Sequence, residues 1–232
     1  MRELYDVYRS TGFGDTATAA AAEGYAAYID WLPRRRDARV LDFGCGGGEF
    51  LAYLASCGYT NIEGMDVSAE QVRRSLERGL ARISHEQNAE AFLKAHPSRF
   101  DCVTMNDVLE HLEKERCIPT LRAIGDALTP DGCLVVKVPN LSSAFGPVAR
   151  YLDFTHELGF TEHSLEQVLR AAGYRTIDLR TSKVRFALRP KRLAFYLANA
   201  AYRAAHRAVY LAAAGEDAPR LLGKLLIARA RR

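Results

Sequence analysis

Gly44, Gly46 and Gly48 follow the apolar run 39–43, and Asp66 closes a second apolar run about 20 residues further on. A glycine turn between a strand and a helix brings backbone N–H groups against a ligand, because glycine accepts positive φ and has no Cβ to hold the ligand off. A carboxylate at the end of the neighbouring strand accepts hydrogen bonds from both hydroxyls of a ribose. The pair predicts an adenosine-containing ligand. A dinucleotide fingerprint would place a further glycine at position 49, which is Glu49, a poor neighbour for a pyrophosphate at a helix N-terminus. No GK[ST] follows, so a P-loop is excluded. Ribose, adenine and a charged amino acid without phosphate suit the residues better.

These residues need a sheet whose strands end on one edge. Short apolar runs alternate with helical patterns, which predicts an α/β protein with a largely parallel sheet. Strands are expected at 39–43, 62–65, 101–105, 133–138 and 174–179, with a weak one near Ile83 and a last, edge strand at 225–228. Helices are expected from Phe50, over 69–81 behind Ser68 as N-cap, over 116–128 and over 164–172. Pro130-Asp131-Gly132 reads as the turn that stops the third of these, and Gly173 as the cap of the last. The fold class is α/β: a Rossmann-like doubly wound, mostly parallel sheet of about seven strands with an antiparallel edge strand, plus a helical insertion near the C-terminus.

"VLDFGCGGGEF" with "GMDVS" resembles the first two motifs of class I S-adenosylmethionine-dependent methyltransferases. "RFDCVTMNDVLEHL" and "LTPDGCLVVKVPN" are similar to their fourth-strand motif and the strand after it, in the family's order. The resemblance implies S-adenosylmethionine as cofactor. It gives the turn around the methionine end to Asp42, Gly44, Cys45, Gly46 and Gly48, the ribose to Asp66 and the adenine face to Val67. Asn88 stands where the family often has an acid that meets the adenine amine, and its amide oxygen can accept the same bond. Asn106 and Asp107 fall near the methionine amine and the sulfonium. "YDVYRSTGFGD", "RYLDFTHELGFTEHSL" and "KLLIARARR" further resemble methyltransferases of bacterial surface-polysaccharide and O-antigen biosynthesis. That likeness implies a sugar hydroxyl, on a nucleotide sugar or lipid-linked glycan, as acceptor. The alternatives are a small-molecule methyltransferase of the ubiquinone type and a catalytically silent assembly subunit.

A hydroxyl acceptor needs a base within hydrogen-bond reach. Among six histidines, His111 begins a helix past the fourth strand, and His156 has Asp153, Thr155 and Glu157 around it. These make His156, His111 and Asp153 the candidate catalytic residues, while His163 reads as part of a helix cap. "HELGF" lacks a second histidine four residues on, so no metzincin-type zinc site is supported and no metal is expected.

The rest of the chain sets the context. A single domain is expected: a helical lid segment at 1–34, a cofactor-binding core at 35–180 with an acceptor segment at 140–163, and the helical insertion at 183–222. In the lid, Tyr5, Tyr8 and Arg9 precede Gly12 and Gly14, which allow a hinge, and 17–22 is alanine-rich. A net charge of +4 implies no bulk polyanion binding, hence no nucleic acid. Five scattered cysteines without a CxxC pair read as reduced thiols, and the N-terminus lacks a signal-peptide core, so the cytoplasm is expected. Between Asp178 and Glu216 all charge is basic. Leu193, Leu197, Ala200, Ala204, Ala208 and Leu211 recur there at helical spacing. That stripe packs on its own domain or on a second copy in a homodimer, or else rests peripherally on an anionic inner-membrane surface beside a lipid-linked substrate.

Overall fold

The computed structural model of the protein describes residues 24–181, 189–215 and 217–232. The lid residues Tyr5, Tyr8, Arg9, Gly12 and Gly14, the alanine run and the stretch 183–188 lie outside the described residues.

The expected α/β sandwich is present. Seven strands form one sheet: β1 (Val40–Phe43), β2 (Ile62–Asp66), β3 (Ile83–His85), β4 (Phe100–Asn106), β5 (Leu128–Pro139), β6 (Thr176–Thr181) and β7 (Leu225–Arg231), in the order β3-β2-β1-β4-β5-β7-β6. All pairings from β3 to β5 are parallel, and β7 runs antiparallel to both its neighbours. Chain order reverses between β1 and β4, and the crevice at the carboxyl ends of those strands is where such sheets take ligands. β1 is Val-Leu-Asp-Phe with every residue buried, since helices cover both of its faces.

Among the described residues seven helices connect the strands: α1 (Glu49–Ser56), α2 (Ala69–Glu77), α3 (Ala89–Lys94), α4 (Lys114–Ala127), α5 (Gly146–Leu152), α6 (Glu162–Ala171) and α7 (Arg189–Ala214). Ser68 caps α2 as expected, its Oγ accepting from Gln71 N, but α2 stops short at Glu77 because Gly79 takes positive φ. α6 opens on a capping box between Thr161 and Ser164, so the cap is theirs rather than His163's.

Two expectations change. Pro130-Asp131-Gly132 is not a free turn. β5 starts straight after α4, and Thr129–Gly132 stand opposite Asp101 alone, between the pairs Phe100–Leu128 and Cys102–Cys133. The segment is a bulge at the strand's start, where a Cβ on Gly132 would lie 3.0 Å from Phe100 O and Thr129 O. The last strand, moreover, is not at the edge. β7 lies between β5 and β6, and its Leu226, Ile227, Ala228 and Ala230 are buried on both faces.

α7 also differs from one expectation. Leu193, Leu197, Ala200, Ala204, Ala208 and Leu211 are all exposed, so the stripe does not pack on its own domain. The half-buried side is that of Tyr202, His206 and Tyr210, where Tyr202 Oη accepts from Ala144 N at 3.1 Å. Among the described residues no helix is long and apolar enough to cross a membrane.

Candidate functional site

The turn after β1 is built as the glycine spacing requires. Gly44, Gly46 and Gly48 have φ of +74°, +53° and +82°. A Cβ at Gly44 would lie 2.6 Å from Val108 Cγ2, and one at Gly48 only 2.3 Å from Leu80 Cδ1. Gly44 N and Cys45 N both donate to Met65 O, which ties the turn to the end of β2. Asp66 ties it again: Oδ2 accepts from Gly46 N at 2.9 Å and Oδ1 from Ser68 N at 2.8 Å. Burial pushes the Asp66 carboxyl up, and these two backbone donors oppose the shift.

These groups line a cavity of about 320 Å³. Asp42, Gly44, Cys45, Gly46, Asp66, Val67, Asn106 and Asp107 all line it, and Gly48 lies just outside as the N-cap of α1. Asn88 does not line it. Its Oδ1 accepts from Ala91 N as the N-cap of α3, and the neighbouring Gln87 lines the cavity instead. Val67, 53% exposed, remains open for a flat ring.

Acids dominate the charge. Asp42, Glu49, Asp66 and Asp107 line the cavity, with Arg116 as the one arginine or lysine among its described lining residues. Such a wall disfavours phosphate and favours a cation, as a sulfonium bearing an ammonium would be. Asp42 is 2% exposed, with Oδ1 accepting from Thr104 Oγ1 at 2.8 Å and from Asn106 Nδ2 at 3.2 Å. Burial outweighs those bonds and raises its pKa to about 7. Lys137, inside the apolar run 133–138 of β5, pairs with Asp107 at 2.5 Å. Tyr28, fully buried, donates to Asn106 Oδ1, and Tyr25 lines the cavity. The sequence reading missed Lys137 and both tyrosines. A lone lysine within "LVVKVP" was a legible signal, since a buried strand carries a charge only with a partner.

His111 also lines the cavity, at the close of a 3₁₀ turn Leu109–His111. The acceptor segment reaches it through Glu110, whose carbonyl oxygen accepts from both Glu157 N and Leu158 N. Thr155 Oγ1 donates to Asp153 Oδ1 at 2.7 Å and lies 2.9 Å from His111 Nδ1, which is 3.2 Å from Thr155 O as well. Nδ1–H is therefore the donor and Nε2 carries the lone pair. Burial, with His156 beside it, lowers the His111 pKa. His156 does not line the cavity. Its Nδ1 lies 2.8 Å from Ala149 O, and its ring packs edge-on behind His111 at 4.7 Å. Of the two histidines only His111 lines the cavity, and Thr155 stands between it and Asp153.

Comparison with known proteins agrees with this geometry. A family model described as a methyltransferase domain matches residues 17–179. The ubiquinone biosynthesis O-methyltransferase of Ralstonia nicotianae is 34% identical over 111 residues, 45% of either chain. That of Paraburkholderia phytofirmans is 30% identical over 156 residues, 61% of this chain and 66% of its own. The chain spans about half the length of the curated relatives it matches first. These relatives belong to ubiquinone biosynthesis, and the narrower likeness to polysaccharide and O-antigen enzymes finds no support in them. Among solved structures, a SAM-dependent methyltransferase from Archaeoglobus fulgidus superposes with a TM-score of 0.70 at 19% identity, over 98% of this chain and 99% of that one. The Burkholderia thailandensis 1,6-didemethyltoxoflavin-N1-methyltransferase, solved with S-adenosylhomocysteine, gives 0.63 at 20% identity, over 100% of this chain and 86% of that one. With the family model covering most of the sheet and the glycine turn, the chain belongs to the class I S-adenosylmethionine-dependent methyltransferases.

Proposed function

We propose that the chain transfers the methyl group of S-adenosylmethionine to a hydroxyl of a small acceptor of the ubiquinone-precursor type. One observation carries the reading: the Asp153–Thr155–His111 chain ends in the same cavity as the glycine turn and Asp66. The acceptor oxygen attacks the methyl carbon in line, the C–S bond breaks with its electron pair left on sulfur, and the hydroxyl proton leaves at the His111 end. The apolar wall there, with Phe43, Val108 and Leu112, suits an aromatic acceptor better than a sugar. The relatives named above weigh the same way.

The acceptor's apolar tail has a surface to meet. Phe145, Val148, Tyr151, Leu152 and Phe154 are exposed on and beside α5, and α7 adds its exposed leucines to a helix without an acid. A lipid-borne acceptor at an anionic bilayer matches both features.

Two measurements test this. Transfer of labelled methyl to a demethylated quinone precursor separates an enzyme from a silent subunit, and His111→Ala lowers turnover by about 10²–10⁴ with cofactor affinity unchanged. Full activity in His111→Ala, or transfer to glycans alone, refutes the proposal. Flotation with anionic vesicles, lost in salt and in Arg203→Glu/Arg207→Glu, tests the membrane part.

A further inference from the structure

A buried lysine stands behind the wall of the cofactor cavity. Lys137 lies on β5 opposite Asn106, on the same face of the strand as the core residues Cys133 and Val135. Its side chain is only 10% exposed, in a strand position that ordinarily takes an apolar residue. Nζ is 2.5 Å from Asp107 Oδ2 and 5.5 Å from the centre of the Tyr25 ring. Asp107 and Tyr25 both line the cavity, and Lys137 is not among the lining residues.

Packing alone does not account for this placement. Asp107 is held twice by the same residue: Nζ meets its carboxylate, and Lys137 O accepts from Asp107 N at 2.9 Å. Asp107 keeps a φ of +54° there, which few non-glycine residues adopt. The charge also reaches beyond its partner. It draws the buried Asp42 carboxyl down, against the rise that burial imposes. Arg116, the cation in the wall itself, is engaged with Glu90 at 3.7 Å.

We propose that Lys137 is a positioning residue that sets the charge of the cofactor pocket: it holds Asp107 in place and offsets its negative charge, so that the sulfonium is bound less tightly and gives up its methyl group more readily. S-adenosylmethionine carries one positive charge more than S-adenosylhomocysteine, and that charge disappears from sulfur as the methyl group leaves. A pocket of bare carboxylates stabilises the charged cofactor more than the transition state, which raises the barrier. A cation behind the wall counters that excess without occupying the pocket. One unit charge acting across about 7 Å at an effective dielectric of about 20–40 changes the affinity for a cation roughly ten- to fiftyfold, and a neutral ligand is almost untouched.

The binding part of this inference needs only the cofactor, while the turnover part rests on the O-methyl-transfer reading. Calorimetry of S-adenosylmethionine and S-adenosylhomocysteine with the full chain and its variants tests the first. In Lys137→Met the ratio of the two affinities shifts roughly ten- to fiftyfold towards the charged cofactor, and in Lys137→Arg it stays near the parent's. The double variant Lys137→Met/Asp107→Asn prefers the charged cofactor by a similar factor over Asp107→Asn alone, a comparison that leaves no bare carboxylate behind the lysine's loss. Both affinities lowered together in Lys137→Met, with the ratio unchanged, mark a purely structural lysine and overturn the proposal. A double variant with the same ratio as Asp107→Asn overturns it as well. In turnover, Lys137→Met lowers kcat and the KM for S-adenosylmethionine together. A binding shift without that fall overturns the lysine's part in methyl transfer and leaves the O-methyl-transfer reading standing. A parent that transfers no methyl to a hydroxyl refutes that reading and leaves the binding result untouched.

Discussion

Replacing Asp42 with Asn makes the protein more stable, by an amount that grows as pH rises from about 4 to about 7. Asp42 is 2% exposed and its pKa stands at about 7 against an ordinary 3.8. A raised carboxyl binds its proton more tightly folded than unfolded. Stability therefore falls as pH rises from about 4 to about 7, and the loss is complete above 7. A shift of roughly 3 units corresponds to about 4 kcal/mol at pH 8. Asn is isosteric and its Oδ1 can still accept from Thr104 and Asn106, but its own amide is desolvated, so a gain of about 2–4 kcal/mol remains. For a chain of this size that is a rise in Tm of roughly 5–15 °C at pH 8, shrinking towards zero near pH 4. Thermal melts of both proteins across pH 4–8 measure it. Parallel profiles, or an Asn variant less stable throughout, refute the argument. The same carboxylate should bind a cationic ligand, so the Asn variant loses S-adenosylmethionine affinity where it gains stability.

Further expectations follow from the turn and the relay. Asp66→Ala removes ribose bonds worth roughly 1.5–3 kcal/mol, a ten- to hundredfold loss of cofactor affinity, and orphans Gly46 N and Ser68 N, so the unliganded Tm falls as well. Calorimetry and melting separate the two effects, and parent-like affinity would place the ribose elsewhere. Gly48→Ala combines a left-handed φ with a 2.3 Å approach to Leu80 and costs about 2–4 kcal/mol by denaturant unfolding; a neutral result would mean the turn yields freely. Thr155→Val cuts Asp153 from His111 and lowers kcat about 10–100-fold with the acceptor KM steady, and a purely structural role would change neither selectively.

Local geometry made the cofactor half legible. Val40 to Asp66 is one strand-turn-helix-strand unit, in which spacing alone fixes the placement, and Ser68 and Thr161 act through neighbours three residues away. Asn88 misled because its role depends on whether α3 begins at Ala89, a boundary that periodicity does not fix. The acceptor half was hidden for a different reason. His111, Asp153 and Thr155 meet because the Glu110 carbonyl holds Glu157 and Leu158, a backbone contact with no sequence signature. β7 misled through its length, since a short final apolar run reads the same at an edge as in the interior.

The position of β7 has a bearing on how the protein acquires its structure. β5 and β6 flank a gap that only β7 fills, and β7 lies some ninety residues beyond β5 in the chain, a separation that makes closure a late and slow event. Until it arrives, β5 presents an open edge of Val135, Val136 and Val138, a ready template for another chain. Nascent protein at this stage is most exposed to aggregation, and a free peptide with the β7 sequence would compete for that edge and arrest folding with the cofactor site already formed.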